Sequence, residues 1–324
     1  MSTILKRDIK TTIFLLLGAC GIIGIILWKI GIGNFYDKLS NINPQLLIAS
    51  IFLTLLSFVI KLIRWSLLFK HARTVDAFKI YFIGQGVNQI GPFGSGELAR
   101  AYTANKKLGI PIGKTLISSA IERISDTLFL SIMALMGVTL LIPGRSSFQI
   151  GVLILFITIL GVILIRPGLI FKFKWMFDRF TKKSSGRLDS FVKKISGLLL
   201  EFSDTLSRFG EQKLLAGAIF LLTLAAWGAN ALAIYMLFLS FSIHSTLIYV
   251  LIISSMAEII GVIVPIPGGL GTKDASFAWL FSLVGVPIET GIIIYLVYRG
   301  VNYLLLGGGV FISLLSFSNK YQDG

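Results

Sequence analysis

The stretch Ile90–Tyr102, IGPFGSGELARAY, interrupts one of the apolar regions of the chain with a proline, three glycines, a carboxylate and a guanidinium. A related stretch, IPGGLGTKDA, occupies residues 266–275. Proline removes a backbone N–H and clashes with the preceding helical turn, while glycine permits tight backbone geometry and close approach. We therefore predict that both stretches break helices. The predicted break residues are Pro92, Gly94, Gly96, Pro267, Gly269 and Gly271.

The residues around these breaks have the composition of a membrane protein. The chain has 324 residues, of which 55% are hydrophobic and 14% charged, and its mean hydropathy is +0.86. A soluble domain carries about a quarter charged residues, and apolar runs of about twenty residues are long enough to cross a bilayer as helices. We predict an all-α, polytopic transmembrane helix bundle. Its six predicted full spans are 11–30, 45–69, 112–142, 147–166, 213–240 and 288–317.

Residues 77–108 and 245–285 each contain two shorter apolar pieces on either side of a break. Non-helical backbone is tolerated at membrane depth only where it is buried in protein or lines a polar cavity. We therefore predict two broken, re-entrant helical hairpins.

The net charge of +15 comes from basic residues that collect between the apolar runs. This pattern is typical of membrane topology and contact with anionic lipid, so we expect no nucleic-acid partner. The distribution predicts a multi-pass protein of the cell (plasma) membrane with both termini in the cytoplasm, and an uncleaved first span rather than a lipoprotein signal ending at Cys20. We predict that residues 167–212 form a basic cytoplasmic loop. Its apolar stripe predicts an amphipathic helix, either on the inner leaflet or packed against neighbouring loops.

An internal repeat relates the two breaks. The pattern Pro-x-Gly-x-Gly occurs in both, GIPI at 109–112 matches GVPI at 285–288, and Arg123 and Arg299 each lie 14 residues after the glycine of that second element. Within a single transmembrane domain, 1–324, we predict a first repeat, 45–142, and a second repeat, 213–317, of inverted topology. Secondary transporters commonly place the substrate at such a repeat interface, so we expect the breaks to meet near the midplane. We also expect helices to restart after Gly96 and Gly271 and to offer free N–H groups to a phosphate.

Ionisable residues inside apolar spans are costly and usually mark a site or pathway. Local pairs such as Arg123 with Asp126, or Glu97 with Arg100, offer a structural alternative, and snorkelling to the cytoplasmic surface explains Lys61. The predicted substrate-binding residues are Arg64, Glu97, Arg100, Arg123, Asp126, Glu258, Lys273, Asp274, Arg299 and Asn302. Because there is one cysteine and the two histidines are far apart in sequence, we expect no metal site and no cofactor.

The chain resembles the lysylphosphatidylglycerol synthase transmembrane-region family of flippase-like integral membrane proteins. The resemblance rests on GPFGSGELARAY, IERISDTL, PIPGGLGTKDASFAWLFSLVGVP and YRGVNYLLLG. Two departures are Gly94, where the family usually has a basic residue, and Lys273-Asp274, where it usually has Arg-Glu. The resemblance implies a lipid-moving or lipid-binding module. We expect the aminoacyl-transferring soluble domain of the name-giving proteins to be missing here.

The sequence thus favours a lipid flippase or transporter, not an enzyme, that binds an anionic or phosphate-bearing lipid headgroup, either phospholipid or polyprenyl phosphate. One alternative is a membrane-embedded, polyprenyl-linked glycosyl or phosphoryl transferase, but the chain has no Asp-x-Asp pair and no phosphate-loop motif. A second alternative is a non-transporting accessory subunit. Assembly of the chain into a homo-oligomer is a further alternative.

Overall fold

The computed structural model describes residues 37–68, 74–91, 94–141, 212–263 and 267–318, together with Gly151. Within these residues the regular structure is entirely helical, with no strand. The elements are α1 (Pro44–Leu68), α2 (Thr74–Ile90), α3 (Ser95–Leu108), α4 (Ile112–Leu141), α5 (Lys213–Ser240), α6 (Leu247–Ile263), a 3₁₀ turn (Pro267–Gly269), α7 (Thr272–Ser282) and α8 (Ile288–Ser318).

Four of the predicted spans correspond to helices α1, α4, α5 and α8. These four are long and apolar enough to cross a membrane. Their bounds agree with the predicted ones to within one residue, because long, continuous apolar runs determine where such helices begin and end. The predicted spans 11–30 and 147–166, and the amphipathic helix of the basic loop, lie outside the described residues.

Each predicted hairpin consists of two short helices, α2 with α3 and α6 with α7. Helices α3 and α7 contain 14 and 11 residues. At 1.5 Å per residue they are about 21 Å and about 16 Å long, so each is shorter than the ~30 Å hydrocarbon core of a bilayer. Pro92 lies outside the described residues, just beyond the end of α2. Pro267 begins the 3₁₀ turn, beyond the end of α6.

Glycines with left-handed backbone begin both restarted helices. Gly94 precedes α3 with φ 81°, and Gly271 precedes α7 with φ 78°, a region that residues with a Cβ rarely adopt. Helix α3 therefore restarts directly after Gly94, earlier than the restart after Gly96 that the sequence had indicated. Gly96 is instead a packing glycine, since a Cβ there would lie 2.2 Å from the Gly84 carbonyl oxygen. Gly268, with φ 61°, is a break residue that the sequence analysis missed.

The described helices form two groups of four, α1–α4 and α5–α8. If each helix is replaced by its counterpart in the other group (α1 by α5, α2 by α6, α3 by α7, α4 by α8), the pattern of contacts between the groups stays the same. Helix α1 packs against α5, α2 against α8, and α4 against α6. Helices α1 and α5 are antiparallel, because the Asn43 N–H donates to the Ser240 carbonyl at 3.0 Å while Ser57 Oγ donates to the Ala226 carbonyl at 3.0 Å. A mutual exchange of this kind is the contact pattern that a two-fold axis produces.

The bundle exposes large apolar side chains and buries several charged ones. Large apolar side chains on the spans point outward, for example Phe52 on α1 with 64% exposure and Leu304 on α8 with 79%. Charged side chains lie inside, and those of Arg64 and Asp274 are fully buried. Large exposed apolar surfaces mark protein or membrane contact, so the outer face of the bundle is suited to lipid.

Candidate functional site

The two helix breaks are in contact. A Cβ placed on Gly268, in the 3₁₀ turn, would lie 3.0 Å from the backbone carbonyl oxygen of Gln89, at the end of α2. Beside this contact is a cavity of about 270 Å³ that residues from both helix groups line. Eight of the ten predicted site residues line the cavity, and the two that do not are Arg64 and Asp274.

Arg64 lies behind the cavity wall in a buried cluster of charges. Its Nη2 donates to Glu122 Oε1 at 2.9 Å, and its Nη1 donates to Asp126 Oδ1 at 2.7 Å and to Thr223 Oγ1 at 2.8 Å. Arg100 Nη1 donates to the other oxygen of Glu122 at 2.7 Å. The cluster joins α1, α3, α4 and α5, and each charge is neutralised by a close partner, as buried charges must be.

The Arg100 side chain reaches Glu122 through a slot in α2. A Cβ on Gly84 would lie 2.2 Å from Arg100 Cγ, so this slot exists only because residue 84 is glycine. The guanidinium then lies 4.6 Å from the centre of the Tyr81 ring and 5.6 Å from that of Trp65. Cation–π contacts of this length are favourable, particularly away from water.

The second ion pair in this half of the molecule joins α3 to α4. Arg123 Nε donates to Glu97 Oε1 at 2.8 Å, and Nη2 donates to the same oxygen at 2.5 Å. Asn88 Nδ2 also donates to it, at 3.3 Å. The Arg123 side chain is 47% exposed. The structural alternatives from the sequence, Arg123 with Asp126 and Glu97 with Arg100, are therefore wrong, because these side chains pair between helices rather than along one.

The corresponding pair in the other half joins α7 to α8. Arg299 Nε lies 3.3 Å from Asp274 Oδ1, and Arg299 Nη2 donates to the Gly269 carbonyl at 3.3 Å. Asp274 Oδ2 accepts the backbone N–H of Gly271 at 2.7 Å. The Arg299 and Asp274 side chains are 9% and 1% exposed, so this pair is more deeply buried than its counterpart.

These two pairs occupy corresponding positions in the two groups of four helices. Glu97 and Asp274 are each the third residue of their helix, and each binds the arginine 14 residues after a matching glycine. The structural register therefore aligns Gly94 with Gly271, whereas the Pro-x-Gly-x-Gly pattern aligned Gly96 with Gly271. The difference arises because the helix starts, not the spacing of small residues, determine which side chains correspond.

Side chains already occupy part of the helix N-termini. The Gly96 N–H donates to Asn88 Oδ1 at 2.8 Å, and the Gly271 N–H donates to Asp274. The expectation that these restarted helices offer free N–H groups to a phosphate is therefore wrong for these two groups.

Lys273 enters the cavity between two glycines. A Cβ on Gly261 or on Gly269 would lie 2.3 Å or 2.5 Å from atoms of the lysine side chain, so this side chain occupies the space that a Cβ would need at either position. Lys273 Nζ donates to Glu258 Oε2 at 2.6 Å, and both side chains are partly exposed. Asn302, the last of the predicted residues, also lines the cavity and donates to the Tyr298 carbonyl at 2.8 Å.

Lys61, for which the sequence favoured snorkelling to the cytoplasmic surface, lines the cavity. Its Nζ lies 5.1 Å from the centre of the Trp227 ring, and Trp227 Nε1 donates to Asp126 at 2.9 Å. Three further residues of the site, Trp227, Asn230 and Tyr298, were not among those predicted from the sequence. Trp227 and Asn230 lie in an apolar run without a motif, whereas Tyr298 begins the stretch YRGVNYLLLG. The Tyr298 hydroxyl donates to Asn230 Oδ1.

The fold and the cavity define the class of this molecule, which is an integral membrane protein of apolar helices around a charged, polar cavity. The family model for the lysylphosphatidylglycerol synthase TM region matches residues 12–308. The chain therefore belongs to that family, as the motifs around the two breaks had predicted.

Relatives over nearly the full length come from archaea. A UPF0104 membrane protein of Methanocaldococcus jannaschii is 28% identical over 311 residues, which cover 91% of both chains. One from Pyrococcus horikoshii is 24% identical over 306 residues, covering 88% of this chain and 91% of the relative. These names describe a shared membrane region and assign no substrate.

Proposed function

We propose that the protein is a lipid flippase or transporter, not an enzyme, and that it binds the phosphate-bearing headgroup of a membrane lipid in the cavity between the two breaks. The observation that carries this proposal is the set of cationic side chains on the cavity wall. Lys61, Arg123, Lys273 and Arg299 come from helices of both groups and line one space. Cations at membrane depth are retained at substrate and ion pathways, and they are well suited to phosphate.

The proposal includes an inverted repeat, with α1–α4 and α5–α8 related by an axis in the membrane plane. The exchangeable packing of the two groups and the antiparallel α1–α5 pair support it. In this arrangement the α2–α3 hairpin enters from one side of the membrane and the α6–α7 hairpin from the other. Movement of one group relative to the other then exposes the cavity to each side in turn.

For the orientation, we propose both termini in the cytoplasm of a cell with the protein in its plasma membrane, as the distribution of basic residues predicts. Helix α1 then runs towards the cytoplasm, so the α2–α3 hairpin is cytoplasmic in origin and the α6–α7 hairpin is external.

The test is transport in reconstituted vesicles that contain fluorescent phosphatidylglycerol, with a membrane-impermeant quencher added outside. Wild-type protein should bring lipid from the inner leaflet to the quencher. Arg123→Gln and Arg299→Gln should each slow this movement by about tenfold or more, since a lost charge-assisted hydrogen bond costs about 1.5–3 kcal/mol. Lys213→Gln, at an exposed lysine at the start of α5, is the control and should leave the rate unchanged.

Two results would contradict the proposal. One is wild-type vesicles whose lipid moves no faster than in protein-free vesicles. The other is a wild-type rate in the Arg123→Gln/Arg299→Gln double variant, provided that the variant is folded and monodisperse in detergent.

A further inference from the structure

We propose that Lys61 is the anchor for the headgroup phosphate, and that the cavity selects a lipid with a single net negative charge, a phosphodiester whose remaining headgroup is neutral and hydroxyl-bearing. This inference rests on the proposed function and specifies its substrate class. It follows from the charges around the cavity, the position of Lys61 and the chemistry of the neutral wall.

Among the residues that the structure describes, the charges around the cavity are balanced except for one. Arg64 pairs with Glu122 and Asp126, and Arg100 pairs with the same Glu122. Arg123 pairs with Glu97, Lys273 with Glu258, and Arg299 with Asp274. These ion pairs use five cations and five carboxylates. Lys61 is the remaining charged side chain on the cavity wall, and among the residues that the structure describes it forms no ion pair.

The position of Lys61 suits an anchor. Its ammonium lies 5.1 Å from the centre of the Trp227 ring, and the indole N–H donates to Asp126, so the ring is held in place. A cation–π contact holds an ammonium in a low-dielectric environment but supplies no acceptor for its three N–H donors. A phosphate oxygen in the cavity would supply that acceptor and the missing negative charge.

A headgroup with two negative charges does not match these ion pairs, because Lys61 supplies only one unpaired positive charge. A phosphomonoester carries about −1.5 to −2 charges at pH 7. The first charge is neutralised by Lys61, but the second requires a cation that already has a carboxylate partner. Releasing that carboxylate leaves an unpaired charge in a partly buried site, which is costly.

The same balance argues against a headgroup that carries an ammonium. Such a headgroup needs a carboxylate, and the carboxylates of the cluster, Glu97, Glu122, Asp126, Glu258 and Asp274, all have a cationic partner within the described residues. A zwitterionic lipid would therefore neutralise Lys61 with its phosphate and leave its own ammonium unpaired.

The neutral part of the wall is suited to hydroxyl groups. Five carboxamides line the cavity: Gln85, Asn88, Gln89, Asn230 and Asn302. Each carboxamide offers two N–H donors and two acceptor sites, more than the one or two protein hydrogen bonds that most of them make here. Hydroxyls both donate and accept, so a glycerol or sugar headgroup matches this surface.

The experiment compares three lipids that share the same dioleoyl tails. Phosphatidylglycerol is a monoanionic phosphodiester, phosphatidic acid is a phosphomonoester, and phosphatidylethanolamine is zwitterionic. Each is titrated against the purified full-length chain in detergent, and bound lipid is measured by native mass spectrometry. We expect phosphatidylglycerol to bind about tenfold more tightly than either of the others, the factor that 1.4 kcal/mol represents.

Variants test the role of Lys61. Lys61→Gln should lower the affinity for phosphatidylglycerol by about tenfold or more and abolish the preference among the three lipids. Lys61→Arg keeps the charge and should retain most of the affinity, which separates loss of charge from loss of fold. Lys114→Gln changes an exposed lysine in the first turn of α4, outside the cavity wall, and should bind as the wild type does.

The two proposals fail in different ways. If the wild type binds the three lipids equally and Lys61→Gln binds as well as the wild type, the inference about Lys61 is overturned while headgroup binding stands. If the wild type binds none of them, the proposed function fails and the inference fails with it. If phosphatidic acid binds most tightly, the charge balance is the wrong basis for selection.

Discussion

Removing the charge of Glu122 should destabilise the whole bundle, because this carboxylate joins two buried arginines. Its oxygens accept from Arg64 at 2.9 Å and from Arg100 at 2.7 Å, and the residue is 6% exposed. In Glu122→Gln, Arg64 keeps Asp126 at 2.7 Å. Arg100 retains only the Tyr81 and Trp65 rings among its described partners.

The expected cost follows from the charge left behind. Removing one partner of a buried ion pair costs about 3–5 kcal/mol, a change of roughly a hundredfold to a few thousandfold in the folding equilibrium. The free energy of unfolding would be measured by titration with denaturant in mixed micelles, with helix content followed by circular dichroism. Glu289→Gln, at an exposed carboxylate in the first turn of α8, is the matched control and should cost less than about 1 kcal/mol.

A double variant shows whether the cost arises from the unpaired charge. Arg100→Met replaces the guanidinium with an unbranched apolar side chain that fits the slot beside Gly84. Combined with Glu122→Gln, it removes the unpaired charge, so the double variant should be more stable than Glu122→Gln alone. The reasoning is refuted if Glu122→Gln unfolds within about 0.5 kcal/mol of the wild type, or if the two losses simply add.

Two further predictions concern glycines that permit close packing. A Cβ on Gly309 would lie 2.1 Å from Phe82 Cδ1, so Gly309→Ala should cost about 1–3 kcal/mol in the same unfolding titration, whereas Gly307→Ala, with open space around it, should not destabilise the protein. A Cβ on Gly261 would lie 2.3 Å from Lys273 Cγ, so Gly261→Ala should displace the lysine and slow lipid movement in the vesicle assay by several-fold. Equal stability of the two helix variants would refute the first prediction, and unchanged transport would refute the second.

The sequence was sufficient to predict the membrane class, the four described spans and the two breaks. Apolar runs are local features of the chain, and their length alone determines whether a helix can cross a bilayer. Left-handed glycines such as Gly94 and Gly271 are also local, because their backbone angles exclude other residues. The motifs around the two breaks also predicted the family to which the chain belongs.

The sequence also indicated most of the charged residues that meet in the structure, but not Lys61 or Glu122 and not the ion-pair partners. Spacing along one helix suggested Arg123 with Asp126, whereas in the structure Arg123 binds Glu97 and Asp126 binds Arg64. A salt bridge between helices depends on which faces meet, and that is decided by packing over the whole bundle rather than by neighbours in the sequence.

Only the tertiary structure decided which of these charges face the cavity. Arg64 and Lys61 lie one helical turn apart in the same apolar run, yet Arg64 is fully buried behind the wall and Lys61 lines the cavity above Trp227. The sequence by itself shows that charged residues lie within the apolar runs. Their roles were decided by the contact between two distant helix breaks, since a charge at depth is stabilised only by the partners that folding brings to it.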